Sequence, residues 1–209
     1  MTKRDADLDE SVMEQAPSGM AAEHALLGLL ALSPGGAGHG YDLARHFGAE
    51  AALGNVIRLE PGMIYHHLKK LERLGWVASL PGSADRPARR PFALTPAGRA
   101  ELARWLGEPV AHTREIRLEF LVKLYFALLL DPAIAVRLVT EQRDRCARLI
   151  ASLSEKLASA GEDGDPPSRE QRFGYLVLDM RLAQTRAALE WLDRVGQDAV
   201  AALRRAESP

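Results

Sequence analysis

Basic, aromatic and apolar side chains occur at helical spacing in one short segment, residues 61–75. At about 100° per residue, Ile64, Leu68 and Leu71 fall in one narrow stripe, which predicts the buried face of a helix. The opposite face has polar and basic side chains: His66, Lys69, Lys70 and Arg73. Tyr65 lies at the border, where its ring can pack while its hydroxyl group reaches a phosphate. Such a helix fits the major groove of DNA, and the chemistry that it predicts is binding to phosphates and base edges.

The predicted contacts divide between bases and phosphates. The first turns of a helix in the major groove lie nearest the base edges, so base contacts are expected from Met63, Tyr65 and His66. Basic side chains in and around the helix are expected to contact the DNA backbone: Arg58, Lys69, Lys70, Arg73, Arg86, Arg89 and Arg90. The last three belong to a predicted hairpin, which can lie over phosphates or insert an arginine into the minor groove.

The distribution of charge supports this interpretation better than the total charge does. The 209 residues have a formal net charge of −1. Residues 54–99 nevertheless contain eight basic and three acidic side chains, a net charge of +5, whereas residues 1–20 contain two basic and five acidic ones, a net charge of −3. A local concentration of positive charge attracts phosphate even when the whole chain is almost neutral.

A winged helix-turn-helix is the predicted frame for these residues. The pattern predicts three helices, a two-stranded hairpin and a further helix, over residues 22–32, 39–47, 61–74, 76–80 and 90–94 and from Thr95 onwards. Pro61 suits the first turn of the third helix, Gly75 its end, and Thr95 followed by proline the start of the next. Winged helices also bind proteins. A protein-interaction module without DNA binding is therefore the alternative, which the almost neutral total charge favours.

Long helices dominate the rest of the chain, and the predicted fold class is mainly α with a small β-hairpin wing. We expect an apolar helix over residues 116–130, a long helix after Asp131 and another after a polar break at 161–168. The two long helices would be roughly 25 residues each, about 37 Å, and helices of that length need a partner. The predicted domains are a mobile N-terminal arm, a winged helix-turn-helix domain and a helical domain, over residues 1–20, 21–110 and 111–209.

Other kinds of site are weaker predictions. The adjacent histidines His66 and His67 point about 100° apart on a helix and cannot easily share a metal ion, so no metal or other cofactor is expected. Cys146 is in phase with apolar neighbours, which favours a buried thiol over a redox switch. No paired carboxylates or Ser-His-Asp arrangement can be located, and no enzymatic activity is expected. A single cysteine, without an apolar signal segment or a membrane-spanning run, indicates the cytoplasm.

Five aromatic side chains form the remaining candidate site, a cavity between the two predicted domains for a small apolar or aromatic effector: Trp105, Phe120, Tyr125, Phe126 and Tyr175. Aromatic side chains on helices more often belong to a hydrophobic core, and both interpretations stay open. A third interpretation, a small enzyme, would require a titratable group that faces such a cavity.

Five stretches of the sequence resemble the PadR-like family of transcriptional regulators, in the family's order. They are ALLGLL at 25–30, HGYDL at 39–43, PGMIY followed by LERLGWV between 61 and 77, and RRPFALTPAG at 89–98. The resemblance covers about residues 22–105. The helices after residue 120 are similar to those of the longer PadR subfamily, whose extra helical domain forms the dimer.

The resemblance implies a homodimeric repressor in which each helix and wing binds one half of a near-palindromic operator. Tyr65 matches the family's recognition-helix tyrosine, and Arg89 and Arg90 match its basic wing. The resemblance also implies that phenolic or other planar apolar compounds are candidate effectors. The sequence departs from the family at His66, where proline is common, and at Glu60-Pro61, which replaces the more usual small polar residue before the glycine. These departures concern the base preference.

Overall fold

The structure, a computed structural model, describes residues 17–81, 90–159 and 168–206. The chain divides into two units, Met1–Ala103 and Arg104–Pro209. Residues 1–16, most of the predicted mobile arm, lie outside the described residues. The predicted domain limits at residues 20 and 110 therefore stay predictions.

The described part of the first unit contains four α-helices and a small antiparallel sheet, and the last of these helices continues into the second unit. The helices are α1 Pro17–Leu32, α2 Gly40–Arg45, α3 Pro61–Arg73 and α4 Pro96–Gly107. The strands are β1 Ala37–Gly38, β2 Val77–Ser79 and β3 Phe92–Leu94, in the order β1-β3-β2. A hairpin of β2 and β3 directly after α2 and α3 is the predicted winged helix-turn-helix, so the predicted fold class is confirmed.

The sequence did not predict β1. Its two residues pair with β3, Ala37 opposite Ala93 and Gly38 opposite Phe92. The chain reaches this position through a tight turn in which Gly35 and Gly36 have φ angles of 66° and 71°, values that favour glycine. A strand of two residues is too short to show the alternating pattern by which strands are recognised.

Helix α1 begins at Pro17, earlier than the predicted residue 22, and it is buried on all sides from Ala21 to Leu30. The buried stretch includes Glu23 and His24, which are 3% and 0% exposed. Acidic side chains usually lie on helix exteriors, and Glu23 departs from this rule. A buried carboxylate is costly unless it is paired, so Glu23 needs a charged or hydrogen-bonding partner inside the protein.

The start of α4 packs closely on the backbone before the hairpin. A Cβ atom added to Gly98 would lie 2.0 Å from the carbonyl oxygen of Trp76 and 2.9 Å from Leu94 Cδ1. Thr95 caps the helix, since its Oγ1 accepts a hydrogen bond from the amide of Gly98 at 3.0 Å. The same hydroxyl donates to the carbonyl oxygen of Gly75 at 2.7 Å. This position therefore links α3, the hairpin and α4.

We expect Gly98→Ala to lower the free energy of unfolding by about 1–3 kcal/mol, because the new methyl group would force the helix away from a rigid carbonyl group. Gly174→Ala is the matched control, since nothing lies within 4 Å of a Cβ atom there. The control should be neutral or raise stability by up to about 1 kcal/mol. Urea unfolding followed by circular dichroism measures both variants, and equal midpoints would contradict the prediction.

Three helices dominate the second unit: α5 Glu119–Leu130, α6 Pro132–Ser159 and α7 Arg169–Ala206. A 3-10 turn, Thr113–Arg117, precedes α5, so the predicted single helix over 116–130 is wrong at its start. Helices α6 and α7 have 28 and 38 residues, and α7 is thus longer than the roughly 25 residues predicted. Their facing sides form the core of the unit together with α5.

Cys146 lies in this core and is 2% exposed. Burial raises the pKa of its thiol, which keeps it protonated and unreactive. The predicted buried cysteine is confirmed. Among the described residues, no helix has the length and hydrophobicity to span a membrane.

Candidate nucleic-acid interface

Helix α3 has the two faces that the sequence predicts. Ile64, Leu68 and Leu71 are each 0% exposed and pack in the core of the first unit. The polar face is open, with exposed side chains at Met63, Tyr65, His66, Lys69 and Arg73. Arg58, in the segment before α3, is exposed as well. The helix can therefore present basic and aromatic side chains to a ligand while its apolar face stays packed in the core.

Tyr65 is held at the junction of α2 and α3. A Cβ atom added to Gly40, the first residue of α2, would lie 2.8 Å from Cε1 and 2.9 Å from Cζ of the Tyr65 ring. The ring thus packs so closely on Gly40 that a larger residue there would force the ring to move, while Tyr65 remains 48% exposed. This agrees with the expectation that the ring packs at the border of the two faces.

We expect Gly40→Ala to displace the Tyr65 ring and to weaken DNA binding about tenfold, the effect of roughly 1.4 kcal/mol. A double-mutant cycle with Tyr65→Ala tests the cause. If the loss depends on the ring, Gly40→Ala should cost much less in the Tyr65→Ala background. Fluorescence anisotropy with labelled duplex DNA measures the four affinities. An unchanged cost in both backgrounds would show that Gly40 acts by another route.

Lys70 does not belong to the open basic face. Its Nζ atom donates to Glu23 Oε1 on α1 at 2.7 Å, and its side chain is 43% exposed. The predicted contact of Lys70 with the DNA backbone stays a prediction, and its ammonium group is already paired with Glu23. The physical reason is that a buried carboxylate without a cation would be strongly unfavourable, and Lys70 is near enough to supply one.

His67 faces the same carboxylate from inside the protein. Its Nδ1 lies 3.4 Å from Glu23 Oε1, and the residue is 6% exposed. Burial acts to raise the pKa of Glu23, but the hydrogen bonds with His67 and Lys70 and the positive charge of Lys70 outweigh it and hold that pKa below its usual value. The two adjacent histidines therefore have different roles, since His66 is exposed. Within the described part of the chain, no group of three or more metal-ligating side chains is found.

A second buried polar contact joins α1 to α4. His24 Nε2 lies 2.8 Å from Glu101 Oε1, and His24 Nδ1 lies 2.8 Å from the carbonyl oxygen of Met20. Sequence reasoning missed both this contact and Glu23. The available signal was an adjacent acid and histidine inside an otherwise apolar helix, which predicts buried polar partners.

The hairpin is only partly described. Strands β2 and β3 pair from Val77 opposite Leu94 to Ser79 opposite Phe92. The amide of Ser79 donates to Glu72 Oε1 at 3.2 Å, which ties the hairpin to the last turn of α3. Arg90 is exposed at its end. Arg86 and Arg89 lie outside the described residues, and their predicted contacts stay predictions.

The predicted effector residues lie in the second unit, mostly inside its core. Trp105, Phe120 and Phe126 are each at most 2% exposed. Phe120 packs edge-on against Trp191 with ring centroids 6.1 Å apart. The other two, Tyr125 and Tyr175, are partly buried. A cleft of about 640 Å³ lies elsewhere in this unit, between α6 and α7, and none of the five lines it.

A buried lysine accompanies Trp105. Lys123 is 2% exposed and donates to the carbonyl oxygens of Trp105 at 2.9 Å and Glu108 at 2.7 Å. Burial lowers the pKa of Lys123, an effect that the Glu119 carboxylate 3.4 Å away partly offsets. Trp105 Nε1 also donates to Glu119 at 3.0 Å. Through these contacts, Trp105, Glu119 and Lys123 form a structural cluster at the end of α4.

The fold and the open basic helix define a class of protein, the winged-helix DNA-binding proteins. Comparison with known families identifies the family within this class. Residues 26–104 match the transcriptional regulator PadR-like family, and residues 116–198 match the virulence activator alpha C-terminal domain. The chain belongs to the PadR-like family of transcriptional regulators, and the second match fits the longer subfamily, as the resemblance implied.

Two curated relatives extend over almost the whole chain. The Probable transcriptional regulator Rv1176c of Mycobacterium tuberculosis is 32% identical over 195 residues, which cover 85% of this chain and 97% of that protein. The Negative transcriptional regulator PadR of Bacillus subtilis is 30% identical over 182 residues, which cover 83% and 94%. Transcriptional regulation is thus the function class of this protein.

Solved structures of Bacillus subtilis PadR are also similar. The complex with operator DNA is 26% identical, covering 84% of this chain and 96% of that chain, with a TM-score of 0.39. The complex with p-coumaric acid is 26% identical, covering 88% and 98%, with a TM-score of 0.37.

Proposed function

We propose that this protein is a homodimeric, cytoplasmic repressor that binds operator DNA with α3 in the major groove and the hairpin over the adjacent backbone. The observation that supports this most directly is the face of α3, where Tyr65, Lys69 and Arg73 are exposed above a fully buried apolar stripe. Repression is supported by the relationship to a negative transcriptional regulator. Base contacts are assigned to Met63, Tyr65 and His66.

The proposed dimer contact includes the N-terminal half of α7. Phe173 and Leu176 are each 67% exposed and Met180 is 55% exposed. Their spacing of three and four residues places them on one side of the helix. Exposed large apolar side chains in a row are typical of a protein interface, and a second copy of the chain is the proposed occupant.

We further propose that a small planar apolar compound releases the repressor from DNA. The related PadR of Bacillus subtilis has been crystallised with p-coumaric acid, a compound of this chemical class. The five aromatic residues stay the predicted contacts. Because three of them are almost fully buried, an effector that contacts Trp105, Phe120 or Phe126 would have to open the core of the second unit.

The test begins with selection of the preferred duplex from random DNA by the full chain. Affinity for that duplex is then measured against salt. A dimer that neutralises about four to eight phosphates should give a log–log slope of roughly −4 to −7. No selected sequence and a flat salt response would contradict the proposal, and would favour the alternative of a protein-interaction module.

A further inference from the structure

A charged cluster lies directly beneath the DNA-facing helix. The Glu23 side chain is 4% exposed, and one of its oxygens, Oε1, is shared by Lys70 Nζ at 2.7 Å and His67 Nδ1 at 3.4 Å. Both partners are on α3, whereas Glu23 is on α1. The cluster therefore connects the buried first helix to the helix that we assign to the major groove.

We propose that Glu23 is an internal counter-ion that neutralises Lys70 and so limits the attraction of α3 for DNA. This inference rests on the proposed function. Lys69 and Arg73 supply the attraction for DNA. Lys70 contributes almost none of it, because Glu23 neutralises its charge. Glu23 itself is a positioning residue without contact to DNA.

The first reason is the asymmetry of burial between the two charges. Glu23 is almost fully buried and depends on its partners, because a desolvated carboxylate is costly unless it is paired and hydrogen-bonded. The lowered pKa of Glu23 agrees with a carboxylate that stays charged. If Lys70 moved to bind a phosphate, the buried Glu23 carboxylate would lose its cation, which is energetically unfavourable. A phosphate approaching Lys70 therefore meets a neutral pair and not a free cation.

The second reason is the contrast with the neighbouring cations. Lys69 and Arg73 are exposed, and no acidic group within the described ranges lies at ion-pair distance from either. Their charges are free to displace the counterions that surround DNA, which is the origin of salt-dependent binding. Lys69 and Lys70 are chemically identical but point about 100° apart on the helix, and Lys70 is the one that lies within ion-pair distance of Glu23.

The closing experiment measures the salt dependence of binding to a non-specific duplex for the full chain and its variants, between about 50 and about 200 mM salt. Glu23→Gln keeps the shape and an acceptor oxygen but removes the charge, which frees Lys70. We expect tighter binding at low salt and a slope steeper by about 2 per dimer, one unit for each Lys70 released. The double variant Glu23→Gln, Lys70→Met should restore the slope of the unmodified protein.

A comparison of two lysines keeps the test independent of how well Glu23→Gln folds. Lys69→Ala should reduce the slope by about 2 per dimer. Lys70→Ala should change the slope much less, and it should lower thermal stability because it leaves a buried carboxylate without its cation. The inference would be overturned if Lys69→Ala and Lys70→Ala reduced the slope equally. It would also be overturned if a folded Glu23→Gln variant had an unchanged or shallower slope. A flat slope for the unmodified protein would instead overturn the proposed function.

Discussion

Replacing Lys69 and Arg73 together by alanine is expected to weaken binding to the selected operator on the order of 100-fold near 0.1 M salt. A dimer loses four positive charges from the exposed side chains of its two α3 helices, and the log–log slope should fall by about 3 to 4. Because both side chains are exposed, the fold should be unaffected. Anisotropy titrations at several salt concentrations measure the affinity and the slope together.

The matched control removes the same number of charges from a helix of the second unit. Arg148 and Lys156 are exposed on α6, and their double replacement by alanine should leave the slope within about 1 of the original value. If the control variant lost as much affinity as the α3 variant, binding would follow total charge and the assignment of α3 would be wrong. Circular dichroism and light scattering on both variants exclude loss of fold or of the dimer as the cause.

Replacing Phe173, Leu176 and Met180 together by glutamine is expected to convert the dimer to a monomer. Full burial of one such side chain contributes about 1.5–3 kcal/mol, and each substitution acts on both protomers. A loss of at least about 4 kcal/mol corresponds to a thousandfold or greater increase in the dissociation constant of the dimer. Sedimentation or light scattering across a concentration series measures it.

The control for this prediction uses polar positions of the same helix. Glu170→Gln and Asp179→Asn change two exposed side chains of α7 without removing apolar area, and the dimer should persist. Operator affinity should fall with the dimer, because two linked half-sites bind far more tightly than one. A dimer that survives loss of all three apolar side chains would place the interface elsewhere.

The class of fold was largely predictable because it depends on local patterns. The stripe of Ile64, Leu68 and Leu71 repeats at the helical period, and all three are buried. Proline and glycine marked the ends of α3 through backbone preferences that need no tertiary contact. The predicted boundaries failed where the signal was short or absent, as in the two residues of β1.

The candidate site was predictable only in part. Periodicity correctly separated the exposed side of α3 from its buried side. It could not distinguish Lys69 from Lys70, since both lie on the polar half of a helical projection. It also could not find Glu23 as the partner of Lys70, because that contact joins two helices far apart in the chain.

The aromatic residues illustrate the same limit in the second unit. Residue type alone left Trp105 open as either a ligand contact or a core residue. The structure places its indole beside the buried ammonium group of Lys123, 4.8 Å from the ring centroid. Such a cluster depends on where α4 and α5 meet, and no pattern within either helix encodes that position.

The sequence by itself determined the amphipathic α3, the hairpin that follows it and the family. These features follow from side-chain periodicity and backbone preferences, which act over a few neighbouring residues. The tertiary structure alone decided which cation of α3 is paired with a buried carboxylate. A charge is free or neutralised according to what lies within a few ångströms of it, and for Lys70 that neighbour is a carboxylate from another helix.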